Sequence, residues 1–380
     1  MALPAEMKAI TTTVLSDGLT LELEQKDIPL PKLKTSTDIL VRIEAAPVNP
    51  SDIGVMFGVA NKSKAKQAGP GKLQMPIEPR LAPLMRTRVG EQMQCGNEAC
   101  GVVVSAGSDP GAQRLIGKLV AILGGQMYAQ YRRVAASSAL ELPDGTDPAD
   151  GASCFVNPLT VLSMVGTMRH EGHSAIVHTA AASNLGQMLL KVCMADGIPL
   201  VNIVRSEEQA NIMLAISPQA LVVNSALPSY HEDMYLAIKK TKASLAFDAT
   251  GGGHLASDIL AAMERVHSEG AGYSTYGSLV HKQVYLYGGL DTGPTMLHRA
   301  YGMKWSIGGW LLNYYLSNHS SEFAEMRQRV VREISTTFKS SYARELTLTD
   351  LATVSSLQEY DRKQTGLKSL VRPQKNSAKL

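Results

Sequence analysis

The sequence predicts an α/β protein of two domains, one β-rich and one doubly wound around a parallel sheet. Three observations predict it. Short apolar runs broken by Gly, Pro and Asp fill the first 150 residues. From 151 to 310, apolar strand-like runs alternate with helical stretches. The 380 residues, 44% of them hydrophobic, suit two cores better than one.

Within residues 1–150, the stretch 20–24 alternates as a half-buried strand does, and 39–44 and 101–105 read as further strands. Ser16-Asp17-Gly18, Ser108-Asp109-Pro110-Gly111 and Pro143-Asp144-Gly145 separate them as turns. Many short strands of this kind suggest a barrel-like or sandwich domain. From residue 151 the alternation begins. Strands at 174–178, 200–204, 220–223, 244–248 and 283–287 are expected, with helices at 184–195, 207–215 and 255–266. Continuous apolar strands alternating with helices imply a parallel sheet covered on both faces. The tail, from about 311 to 380, reads as a helix at 322–338 and a strand at 368–372, and is expected to complete the first domain.

Composition excludes several classes. A net charge of +3 with no long Lys/Arg block argues against nucleic-acid binding. No apolar run is long enough for a membrane helix. The start, MALPAEMKAI, has no signal-like apolar core, so a cytoplasmic protein is expected. The four cysteines, Cys95, Cys100, Cys154 and Cys193, form no CxxC pair, which supports neither a zinc ribbon nor a disulfide framework. None of the nine histidines falls in a ligand-like cluster, and His170 and His173, which flank Gly172, read as surface or capping residues. Residues 61–72, rich in Lys, Gly and Ala, are expected to form a mobile loop with solvated charges.

The most informative segment is Ile176 to Gln187, IVHTAAASNLGQ, between an expected strand and an expected helix. The G-x-G-x-x-G spacing falls on Ala181, Ser183 and Gly186, and only the last is glycine. Small residues still permit a tight turn, and a helix N-terminus offers free N–H groups to a pyrophosphate. The second strand ends at Arg205, where an acidic residue would hold the ribose 2′-hydroxyl of NAD. A planar guanidinium suits a 2′-phosphate, so the sequence favours NADP.

Together with these features, several short segments resemble the zinc-independent branch of the medium-chain dehydrogenases/reductases, the quinone oxidoreductases and enoyl-thioester reductases. They are Pro47-Val48-Asn49-Pro50-Ser51-Asp52, Gly96-Asn97-Glu98, Asn157-Pro158-Leu159-Thr160, the loop Ala181 to Gln187, and Gly308-Gly309-Trp310-Leu311-Leu312. The resemblance runs from Met7 to Pro373. It implies a GroES-like β-rich catalytic domain, a Rossmann nucleotide-binding domain and NADPH as cofactor. Zinc-dependent relatives carry cysteine where Asn49 stands and histidine where Asn97 stands. Asparagine amides are poor zinc ligands beside thiolate and imidazole, so no metal is expected at that site.

The resemblance assigns Asn49 and Tyr128 to the catalytic site, with Tyr131 near it. It assigns Thr160, Ala181, Ser183, Asn184, Leu185, Gly186, Arg205, Thr250, Tyr287, Gly288 and Trp310 to the cofactor. The implied reaction moves hydride from the nicotinamide to an activated C=C or a quinone, a small-molecule substrate. Enoyl reductases of this branch carry a tyrosine acid where this chain reads Met56-Phe57-Gly58-Val59-Ala60, without tyrosine. Enoyl-thioester reduction, with the basic stretch 62–72 meeting substrate phosphates, is therefore the second reading. A non-catalytic NADPH-binding protein is the third. The tyrosine-rich stretch 273–287 is expected to extend an edge strand into a homodimer contact.

Overall fold

The computed structural model describes residues 3–270, 272–362, 365 and 368–375. It divides into two compact units: residues 1–156 with 330–380, and 157–329.

The first unit holds two sheets. A five-stranded sheet orders Lys66–Gly69, Lys72–Pro76, Thr20–Pro29, Glu6–Val14 and Met93–Gln94. A second sheet centres on Asp38–Pro47, which pairs with Glu98–Ala106 and with Tyr131–Ala135. The tail strand Ser369–Val371 pairs antiparallel with the same central strand, Leu370 against Pro47 and Val371 against Ala46. Inward residues of both sheets, among them Ile10, Leu21, Leu23, Ile39 and Val41, share one apolar core with Phe57 of the helix Pro50–Phe57. Residues 61–72 are not a loop. They form a 3-10 turn and a hairpin on the five-stranded sheet, with Lys62 paired to Asp361 and Lys72 to Glu22 and Glu24. Opposite charges on neighbouring strands hold the hairpin where composition alone suggested mobility.

The second unit carries one all-parallel sheet. Its strands are β1 (Ile176–His178), β2 (Leu200–Val204), β3 (Leu221–Asn224), β4 (Leu245–Asp248), β5 (Lys282–Leu286) and β6 (Trp305–Gly309). The spatial order is β3-β2-β1-β4-β5-β6, the doubly wound order of dinucleotide-binding sheets. The helix after β1, Asn184–Ala195, buries Met188, Leu189, Leu190 and Val192. Each such side chain contributes about 1.5–3 kcal/mol by leaving water.

Two expectations need correction. Residues 273–281 do not extend the sheet edge. Ser274–Gly277 is a turn, and Tyr273, Tyr276 and Leu279 are exposed. The Glu264 carboxylate accepts from the Ser278 N–H and hydroxyl and pairs with the buried Lys282, which fixes this turn. Gly277 has φ +80°, and a Cβ there would lie 2.5 Å from Glu264 Oε1. The edge strand is β6. The chain also returns to the first unit at Val330 rather than near 311. Helix Leu312–Asn318 stays with the second unit, and the Tyr315 hydroxyl sits against Gly166, where a Cβ would be 1.9 Å away.

Candidate functional site

In the second unit the chain winds one way from β1 through β2 to β3 and the other way from β4 to β6. The point of reversal, at the carboxyl ends of β1 and β4, is where such sheets open a ligand crevice. Ala181, Ser183, Arg205, Thr250, Tyr287 and Gly288 all lie within five residues of the end of a strand at this edge.

The turn after β1 is built for close approach. Ala180 takes φ +49°, and Ala181 and Ala182 are buried. Ser183 caps the following helix, its hydroxyl oxygen accepting from the Gly186 N–H at 3.1 Å. A Cβ on Gly186 would lie 2.1 Å from the Ala181 carbonyl oxygen, so only glycine lets helix and strand pack this tightly. The Leu185 N–H has no protein acceptor among the described residues, and the helix dipole favours an anion there. A pyrophosphate fits this cradle.

A buried carboxylate organises the neighbouring turn. Asp248 accepts from the Thr179 hydroxyl at 2.7 Å, the Thr250 N–H at 2.8 Å and the Gly251 N–H at 3.1 Å. Gly288 passes so close to Ala249 that a Cβ would meet its carbonyl oxygen at 2.6 Å. The Tyr287 hydroxyl bonds His178 Nε2 at 2.7 Å, and burial holds that imidazole down to about 3, neutral at ordinary pH. Sequence reasoning missed Asp248 and His178, which act by shaping backbone.

Arg205 follows β2, exposed, and no described residue accepts from its guanidinium. Its backbone N–H donates to the Gln209 side chain. Ser206 caps the next helix, its hydroxyl oxygen accepting from the Gln209 N–H. Thr160 is buried in helix Val156–His170. Trp310 follows β6, and its indole N–H donates to Thr167 at 3.1 Å while its edge meets Phe247. The indole is therefore held within the packing of helix and sheet.

In the first unit, Asn49 begins the helix Pro50–Phe57 at the end of the central strand. It is 1% exposed. Its amide N–H donates to Glu98 at 2.8 Å, and its buried Oδ1 has no hydrogen-bond partner among the described residues. An orphaned acceptor in a buried site is costly unless a ligand hydroxyl or amide satisfies it. Glu98 also accepts from the Phe155 and Val156 N–H groups. Burial raises its carboxyl, against the attraction of Lys368. Lys368, next to the tail strand, donates to Ser153, which bonds Tyr342, and burial lowers its ammonium to about 8. Asp52 accepts from the Asn49 and Asn97 N–H groups at 2.8 Å each.

Burial, reinforced by Glu98, pushes Asp52 up to about 7. The folded protein therefore holds a proton between about pH 4 and 7 that the unfolded chain releases. The stability contributed by this group is full below about pH 4 and is lost as pH rises through 7. Asp52→Asn is expected to flatten this fall by a few kcal/mol, read from denaturant midpoints at pH 5 and 8. A wild-type pH dependence retained in the variant contradicts the assignment.

Tyr128, expected at the catalytic site, is packed within the first unit. It is fully buried, its hydroxyl donates to the Pro47 carbonyl at 2.9 Å, and burial raises it far above its ordinary value. The absent Cβ of Gly96 admits its ring to the core. Tyr131 is half-buried in the strand Tyr131–Ala135.

No family model matches the chain. The mitochondrial enoyl-[acyl-carrier-protein] reductase of Saccharomyces cerevisiae is 25% identical over 309 residues, 77% of this chain and 73% of that protein. Among solved structures, a candidate NADPH:quinone reductase of Mesorhizobium loti superposes with a TM-score of 0.71 at 23% identity, covering 98% of this chain and 100% of that one. The Etr1p complex with NADP and crotonyl-CoA superposes with a TM-score of 0.67 at 17% identity, covering 97% and 99%. At these identities the structural likeness speaks for the fold.

Proposed function

We propose, for a chain that carries the fold of the zinc-independent medium-chain dehydrogenases/reductases, an NADPH-dependent reduction of an activated C=C bond or a quinone without metal. The single observation that carries this reading is the edge at β1, β2 and β4, where a tight helix N-terminus and an exposed arginine that no described residue claims meet the needs of a 2′-phosphorylated dinucleotide.

When bound, NADPH supplies the hydride. The turn Ala181 to Gly186 takes the pyrophosphate on the Leu185 N–H and the helix dipole, with Asn184 beside it. Arg205 takes the 2′-phosphate. The Asp248 hub orders Thr250, and Tyr287 and Gly288 line the same edge. Thr160 contacts the nicotinamide, and Trp310 steadies the edge through Thr167. Asn49 offers its Oδ1, unpartnered among the described residues, to a substrate hydroxyl, while Glu98 orients its amide. An amide at 49 and another at 97 do not make a zinc-ligand set.

The match to the yeast enoyl reductase favours enoyl-thioester reduction as a second reading. Against it, the stretch Met56 to Ala60, where the tyrosine acid is expected, carries no tyrosine, and its Phe57 is buried and stacked on Tyr360. A panel of a quinone, a simple enone, a 2-alkenal and a short 2-enoyl-CoA separates the readings. Turnover of the quinone or enone with NADPH is expected. Turnover of the enoyl-CoA alone selects the second reading, and NADPH binding without turnover selects a binding protein.

A homodimer and a cytoplasmic setting complete the proposal. Among the described residues β6 pairs on one edge only, and exposed Met303, just before it, is joined by a backbone hydrogen bond to exposed Tyr276. Light scattering should give a dimer mass, and a monomer would remove the idea. All four cysteines are free and buried, as in a reducing compartment. Among the described residues no helix is long and apolar enough to cross a membrane.

A further inference from the structure

We propose that His170, His319 and Glu322 form a binding site for a divalent zinc-type ion on the second unit. His170 ends helix Val156–His170, His319 follows helix Leu312–Asn318, and Glu322 closes the 3-10 turn Ser320–Glu322. One donor atom from each lies within 4.8 Å of the others. His170 Nε2 stands 2.5 Å from Glu322 Oε1, and the two imidazoles stack at 4.2 Å.

Two imidazoles and one carboxylate make a zinc donor set with a fourth position open to water. Bonds of about 2.1 Å set the ligand atoms of a tetrahedral ion roughly 3.4 Å apart. Closing the gap needs only side-chain torsion in residues that are exposed or half-buried.

A supporting partner is already in place. The Tyr315 hydroxyl donates to Glu322 Oε2 at 2.7 Å, which leaves Oε1 turned to His170. Tyr315 is itself buried and seated over Gly166. A hydrogen bond to the far oxygen of a ligating carboxylate is how metal sites fix their ligands in advance. The C-terminal end of the His170 helix adds a negative dipole that favours a cation.

The site lies away from the dinucleotide crevice. His170 precedes the first residue of β1, at the amino edge of the sheet, whereas the crevice opens at the carboxyl edge. A bound ion would clamp helix Leu312–Asn318 to helix Val156–His170 rather than join the hydride transfer. Its ligands do not include Asn49 or Asn97, so it does not restore a catalytic zinc.

The test is calorimetric titration of the full-length, chelator-treated protein with zinc alone, followed by thermal melting with and without zinc. One ion per chain and a zinc-dependent rise in Tm are expected. His319→Ala and Glu322→Gln should each weaken binding by about tenfold or more and abolish the rise, with NADPH affinity unchanged. Should His319→Ala fail to fold, Glu322→Gln decides. Absence of zinc binding by the wild type, or binding that survives Glu322→Gln undiminished, overturns the proposal.

Discussion

Arg205→Ala is expected to weaken NADPH binding by roughly 10–100-fold and to leave NADH binding within about threefold. The guanidinium stands exposed after β2 and is claimed by no described acceptor. Its neighbours are already committed, since Ser206 caps the next helix and the Arg205 N–H serves Gln209. Glu207 and Glu208 in the first turn of that helix repel a phosphate, so removing the arginine leaves a locally acidic surface. NADH has no 2′-phosphate and loses little by the change. Titration of both cofactors by fluorescence or calorimetry reads the ratio directly. Equal losses for the two would remove the 2′-phosphate assignment.

Gly186→Val should act on both fold and cofactor. The added Cβ would lie 2.1 Å from the Ala181 carbonyl oxygen and 2.6 Å from its carbon, and both are backbone. Nothing flexible stands there to give way, so helix Asn184–Ala195 must move off β1. Overpacking of this kind costs about 1–3 kcal/mol. The same movement withdraws the Leu185 N–H from the position of the pyrophosphate, so NADPH affinity should fall more than about tenfold. Thermal melting and cofactor titration check the two effects. Native affinity in the variant would show that the turn after β1 does not hold the dinucleotide.

Most of the second unit was legible because its strands are short continuous apolar runs bounded by helices. β1 to β5 are found by that pattern. β6, Trp305–Gly309, escaped because two glycines and a serine dilute its apolar signal, and pairing with β5 supplies what its sequence lacks. The short parallel pair Gly251–Gly253 and Asp291–Thr295 escaped for the same reason. Residues 273–281 misled because tyrosine favours strands, whereas Glu264, Ser278 and Lys282 impose a turn through contacts distant in sequence.

The site divides in a similar way. The positions of Gly186 and Arg205 were readable because they depend on place along one strand–helix unit. Tyr128 was not, because its direction depends on the missing Cβ of Gly96. The Asp52–Asn49–Glu98 network joins segments that only the central strand and the tail bring together. The His170–His319 pair was hidden by the length of chain between them.

The central claim is hydride delivery from NADPH to an activated double bond. Its most direct test uses NADPH deuterated at C4 of the nicotinamide with a simple enone, followed by mass and NMR analysis of the product. The account predicts a saturated ketone carrying deuterium at the carbon β to the carbonyl. Recovery of both the enone and, in a parallel run, a quinone unreacted, or a reduced ketone without the label, would contradict it.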